Sequence, residues 1–215
     1  MRLRDRHAAA AATTYKLCSL LLCYPDAELL DARAALVTAV EALAGDAARP
    51  LQSFARWWAG EDPISLQQHY VETFDLHKRC GLYLTFYGEG DRRARGLALL
   101  RLKRMYRAAG LPLHGTELPD YLPVMLEFAA TAPAGQGQIV LREHRAALEL
   151  VRESLRTRDS PYWQVLEAIC VTVGEISAAD RARAFTLAAA GPPHELVGLE
   201  RVAPPGVMPH AEAGR

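Results

Sequence analysis

Residues 70–110 read YVETFDLHKRCGLYLTFYGEGDRRARGLALLRLKRMYRAAG, and the fold class follows from how this stretch divides. Its first part continues a helix that starts earlier. Asp62 offers a side-chain acceptor to free backbone N–H groups, and Pro63 suits a first helical position. From there Leu66, Tyr70, Phe74 and His77 recur on one face at helical spacing. A second apolar run, Leu82-Tyr83-Leu84-Thr85-Phe86-Tyr87, precedes the breakers Gly88 and Gly90. Asp91 is placed to cap a further helix that closes at Gly110.

That further helix is lopsided. Ala94, Ala98, Leu99, Leu102, Met105, Tyr106 and Ala109 share a broad apolar face, while Arg92, Arg93, Lys103, Arg104 and Arg107 gather opposite it. Arg95 falls in the apolar sector, where a guanidinium needs a carboxylate or carbonyl partner. The basic face has two readings, a solvated surface or a contact with something acidic.

The rest of the chain has the same texture. With 215 residues, half of them hydrophobic, it can bury one substantial core as a single domain. Lys plus Arg number 25 and Asp plus Glu number 25, so no net field draws in nucleic acid or anionic lipid. Ala, Leu, Arg and Glu are plentiful, and 139–141 and 169–173 are the only weak strand candidates. The class expected is all-α.

Residues 1–12 read as a flexible lead-in, 13–174 as the helical domain and 175–215 as a weakly structured tail rich in Pro and Gly. Within the domain, Tyr15, Cys18, Leu21 and Leu22 face inward on a first helix. Asp26 caps a second helix expected to run to Ala44, and Phe54, Trp57 and Trp58 load a third. Residues 138–156 read as one long amphipathic helix, and Ser160-Pro161 opens the last strong one. No secretory signal or bilayer-length apolar run is present, and the four cysteines suit reduced thiols, which together point to the cytoplasm and to no direct membrane insertion.

The search for catalytic chemistry finds no phosphate loop, no HExxH, no CxxC pair and no nucleophile elbow. Cys18 and Cys23 do not share a helix face, and His69 and His77 stand two turns apart with no third ligand nearby. No metal or other cofactor is expected. Asp75 has Arg79 or Arg95 within reach as a partner. Asp120, braced between Pro119 and Tyr121, reads as an exposed charge at a loop-to-helix entrance, available to a partner's basic residue.

Four runs then resemble a single family: Tyr70-Val71-Glu72-Thr73-Phe74-Asp75-Leu76, Cys80-Gly81-Leu82-Tyr83-Leu84-Thr85, Gly90-Asp91-Arg92-Arg93-Ala94-Arg95-Gly96-Leu97-Ala98-Leu99-Leu100, and residues 117–128, ELPDYLPVMLEF. In order and spacing they resemble the respiratory nitrate reductase assembly chaperones, the NarJ or delta-subunit type within the TorD-like redox-enzyme maturation proteins. The resemblance covers about residues 70–130.

It implies a single-domain TorD-like helical bundle without catalysis of its own. It also implies a client, the apo catalytic subunit of nitrate reductase, held by its N-terminal amphipathic peptide for molybdenum cofactor and Fe–S insertion before membrane assembly. Molybdenum cofactor delivery proteins are further implied partners. Helix-in-groove capture would place Tyr70, Phe74, Tyr83, Leu118 and Tyr121 under the apolar face of that peptide. Asp75, Asp120 and the basic face carrying Arg92, Arg93 and Lys103 would set its register. Gly81 departs from what a helix prefers there and is expected to bend that turn. Two other classes stay open: a TorD-like chaperone for another molybdoenzyme or a twin-arginine leader, and a helical regulator using the basic helix on nucleic acid, which the zero net charge disfavours.

Overall fold

A computed structural model describes residues 2–88, 92–133 and 135–190. Asp91, expected as a cap, and the tail beyond 190 lie outside the described residues. Among the described residues the chain forms α-helices and no strand. In order they are α1 (Arg2–Leu21), α2 (Ala27–Asp31), α3 (Arg33–Glu41), α4 (Ala48–Gly60), α5 (Pro63–Tyr70), α6 (Thr85–Gly88), α7 (Arg92–Ala108), α8 (Leu122–Thr131), α9 (Gln136–Glu143), α10 (Arg145–Thr157), α11 (Trp163–Val173) and α12 (Ala178–Ala190).

Helix starts are where the local chemistry puts them. Asp62 accepts from the N–H groups of Ile64 and Ser65, with Pro63 opening α5, and Asp26 accepts from Leu29 N–H at 2.9 Å ahead of α2. Pro123 costs α8 no backbone bond, because it sits in the first turn, where N–H groups have no intrahelical partner. Both weak strand candidates are helical, in α9 and α11, since short β-branched runs fold as helix when flanking spacing favours it.

Three expectations need correction. The helix after Asp26 is two helices, meeting at Ala32, and Arg33 is pinned there by donating to the Trp58 and Glu61 carbonyls. The long helix expected over 138–156 breaks at His144. A continuing helix would send the His144 N–H to the Val140 carbonyl. Instead the imidazole Nδ1 bonds that carbonyl at 2.9 Å, and the backbone N–H turns to Leu141 O at 3.2 Å. The helix through residue 70 does not reach Gly81. It widens into a π-turn over Val71–Asp75 and stops at Leu76, so Gly81 lies in a connecting loop rather than bending a helix. In addition, α1 opens at Arg2, ahead of the Thr13 start that the sequence suggests.

Packing is centred on α1, which lies against α8 and α11, while α10 packs on α11 and α12, and α4 on α3 and α11. Tyr15, Cys18 and Leu21 of α1 and Leu22 directly after it are buried, as are Leu122, Met125 and Leu126 of α8. Each large apolar side chain removed from water contributes about 1.5–3 kcal/mol. Polar bonds fix the α1–α8 crossing, with Ser19 Oγ donating to Pro123 O at 2.8 Å and Lys16 pairing with Glu127 at 2.6 Å. Tyr162, fully buried, gathers the aromatic rings. Phe54 and Phe74 lie 5.0 and 4.8 Å from it, and His69 stacks on it at 5.9 Å.

Candidate functional site

The stretch 70–88 meets the start of α8 at one corner of the bundle. Residues 82–84 run antiparallel to 120–122 over one bridge, Tyr83 opposite Tyr121. Leu84 N–H donates to Asp120 O at 3.0 Å, and Leu122 N–H donates to Leu82 O at 2.8 Å. Residues directly opposite in such a pair carry their side chains on one face. The Tyr83 and Tyr121 rings therefore meet, with centroids 5.2 Å apart and planes at 33°, and both stay partly exposed.

The same alternation sends their neighbours inward. Asp120 is 0% exposed, and its Oδ2 accepts from the Thr85 hydroxyl at 2.5 Å and the Thr85 N–H at 3.3 Å. Arg95 approaches that oxygen to 3.8 Å, so Asp120 is the partner its guanidinium needed. Pleating aims the Asp120 carboxylate into the core. This corrects the expectation of an exposed charge there, since Asp120 is a strut beneath the tyrosines.

Beneath Tyr121 lies Tyr70. The Tyr70 hydroxyl donates to Leu22 O at 3.0 Å, which leaves its oxygen to accept from the Tyr121 hydroxyl at 3.1 Å. Tyr24, 43% exposed, meets Tyr70 edge-on at 5.5 Å. On the rim, Glu117 accepts from the Tyr83 hydroxyl at 3.0 Å, and Asp75 stands exposed. Burial, then the Glu117 hydrogen bond and the charges of Glu117, Asp120 and Asp75, push the Tyr83 hydroxyl up to about 12. Burial, with contributions from Cys23, Tyr83 and Glu117, pushes Tyr121 up to about 12 against the opposing bond to Tyr70. On the other flank of Tyr83 a hollow of about 250 Å³ is lined by Lys78, Gly81, Phe86 and Arg95. The corner thus offers aromatic faces, an acidic rim on one side and two cations on the other. Such an inventory is suited to binding. Burial raises every cysteine thiol, Cys170 up to about 12, so none is a thiolate nucleophile at neutral pH.

The profile of the family described as nitrate reductase delta subunit matches residues 38–167. The chain belongs to this family. It is similar to a "Probable nitrate reductase molybdenum cofactor assembly chaperone NarJ" of Bacillus subtilis, 34% identical over 168 residues, which is 76% of this chain and 89% of that one. It is similar to the "Nitrate reductase molybdenum cofactor assembly chaperone NarJ" of Escherichia coli, 35% identical over 147 residues, 67% of this chain and 62% of that one. A "Nitrate reductase-like protein NarX" of Mycobacterium tuberculosis is 33% identical over 159 residues, 74% of this chain but 24% of its own length.

In this delta-subunit family member, the expected site residues fall into three groups. Tyr83, Tyr121 and Leu118 are partly exposed at the corner, with Asp75 exposed on the π-turn. Tyr70 and Phe74 are buried, at 6% and 7% exposure, and support the corner from below. Arg93 and Lys103 are exposed further round α7, and Arg92 opens that helix. The sequence reading missed Tyr24, Glu117 and Arg95 as members of the corner. Arg95 was legible as a cation lacking a partner, and Tyr24 as an aromatic left in a loop ahead of Pro25. Glu117 opens the family run at 117–128, but its place at the corner was not legible, because it depends on a contact across 34 residues of chain.

Proposed function

We propose that this chain is a non-enzymatic assembly chaperone for a respiratory nitrate reductase. It takes the N-terminal amphipathic segment of the apo catalytic subunit at the tyrosine corner. It holds that subunit for insertion of the molybdenum cofactor and Fe–S cluster before membrane assembly, with cofactor delivery proteins as further partners. The observation that carries this reading is the Tyr83–Tyr121 pair, partly exposed yet backed by the buried Asp120 strut. Rigid aromatics at a pre-formed edge lose little entropy on binding and are typical anchors. The names of the relatives support the client, and the acidic rim of Asp75 and Glu117 supports a peptide with basic residues beside its apolar face.

Calorimetric titration with a peptide from the reductase N-terminus tests it. Tyr121→Ala and Tyr83→Ala should each cost about 1–3 kcal/mol of affinity, mostly through faster dissociation. Wild-type affinity in both variants, or no binding by the parent chain, would sink the proposal. A peptide carrying a twin-arginine leader, titrated in parallel, separates the nitrate reductase client from another molybdoenzyme.

A further inference from the structure

The helix α7 has two apolar sides, and the fold uses one. Leu102 and Tyr106 are buried, Tyr106 donating to Pro119 O at 2.7 Å and meeting the Phe128 ring at 4.4 Å. On the far side Leu97 and Leu100 stand 63% and 44% exposed. Between them and Arg101, Arg104, Met105 and Ala108 lies a shallow hollow of about 350 Å³. The helix carries seven basic residues and no carboxylate. Arg101 is held by Glu143 of α9 at 2.6 Å, which anchors one edge of the hollow. No ion pair among the described residues engages Arg104 or Arg107, both exposed.

We propose that this outer face of α7 is a second docking surface, separate from the tyrosine corner, and that it receives an acidic amphipathic helix of a partner protein. An apolar side chain of that helix seats in the hollow between Leu97 and Leu100. Its carboxylates meet Arg104 and Arg107, whose planar guanidinium groups suit paired carboxylate oxygens. Charge complementarity carries the choice of partner, because Arg104 and Arg107, which no ion pair among the described residues engages, stand beside exposed leucines on a neutral protein. The hollow argues against a flat bilayer, which two leucines would grip weakly, and the apolar floor argues against a phosphate backbone.

The test uses the full chain and a synthetic peptide with leucine at three-to-four spacing and glutamate elsewhere. It runs beside a lysine-for-glutamate version and vesicles of mixed phosphatidylcholine and phosphatidylglycerol. The glutamate peptide should bind saturably and more weakly as salt rises, while the lysine peptide and the vesicles should not bind. Arg104→Glu with Arg107→Glu, and separately Leu97→Ser with Leu100→Ser, should each weaken binding about tenfold or more. Thermal midpoints should not move, because these side chains are exposed, and the Leu97→Ser, Leu100→Ser variant should keep its affinity for the reductase peptide, because those leucines lie outside the tyrosine corner. Failure of the glutamate peptide to bind, equal binding by the lysine version, or indifference to both double variants would overturn the proposal. So would preferential binding to vesicles, or a dimer in light scattering that dissolves in the Leu97→Ser, Leu100→Ser variant.

Discussion

Asp120 shows how one residue's role turns on the direction of its side chain. Its carboxylate is fully buried, accepts two bonds from Thr85 and faces Arg95. Asp120→Ala should therefore cost about 3 kcal/mol in urea unfolding, the low end for breaking a buried pair because Arg95 is partly solvated. Asp120→Asn, which keeps an acceptor for Thr85, should cost less. A surface turn residue would show neither loss. His69 makes a second case. It is half-buried, stacked on Tyr162 and bonded to Ser160 Oγ at 2.9 Å, and burial holds its pKa below the ordinary 6.5. Below that ordinary value the unfolded chain takes up a proton that the folded chain refuses. The stability from neutral His69 is thus present above pH 6.5 and declines as pH falls through the depressed value. His69→Gln should flatten this acid limb of a stability–pH profile measured by chemical unfolding, and an unchanged slope would assign the limb to other groups.

At the scale of elements, helix content and most starts were legible, because caps and three-to-four spacing are local signals. Asp62-Pro63 before α5 and Ser160-Pro161 ahead of α11 are instances. The breaks were not. Apolar spacing runs on through His144, and only the imidazole's capture of the Val140 carbonyl ends α9. The tyrosine corner was half legible. Tyr83, Leu118 and Tyr121 were visible as large residues near rigid prolines, but the bridge that pairs the rings and turns Asp120 inward is non-local. Gly137 carries a similar hidden constraint. It looks like loop punctuation, yet it lies in the first turn of α9, where an added Cβ would run into the Ala129 backbone of α8. Gly137→Ala, normally favourable in a helix, should here destabilise the protein by about 1–3 kcal/mol, since the two backbones must separate. A raised thermal midpoint for that variant would show that α9 can shift at no cost.

For the whole molecule, the organising element is α1 rather than the stretch that identifies the family. It contacts α8, α11 and α3, and its inner face is continuous with the core under the tyrosine corner through Leu22, whose carbonyl holds Tyr70. The load is uneven along the helix. His7 to Ala10 are exposed, whereas Leu17, Cys18, Leu21 and Leu22 are 5% exposed or less. Removing residues 2–10 should therefore shift unfolding by well under the cost of one core truncation, since the exposed alanines at 8–10 bury no apolar side chain. Leu21→Ala should cost about 2–5 kcal/mol, the range for emptying a packed site. It should also weaken binding of the reductase peptide, because Leu22 and Tyr70 then lose their fixed backing. Chemical unfolding of the two variants beside the parent, followed by peptide titration of each, distinguishes the cases. If the short deletion unfolds the domain as severely as Leu21→Ala, the first turns of α1 are structural and the expected domain start at Thr13 is wrong. If Leu21→Ala leaves peptide affinity untouched, the tyrosine corner is held by the 82–84 and 120–122 pairing alone, without support from α1.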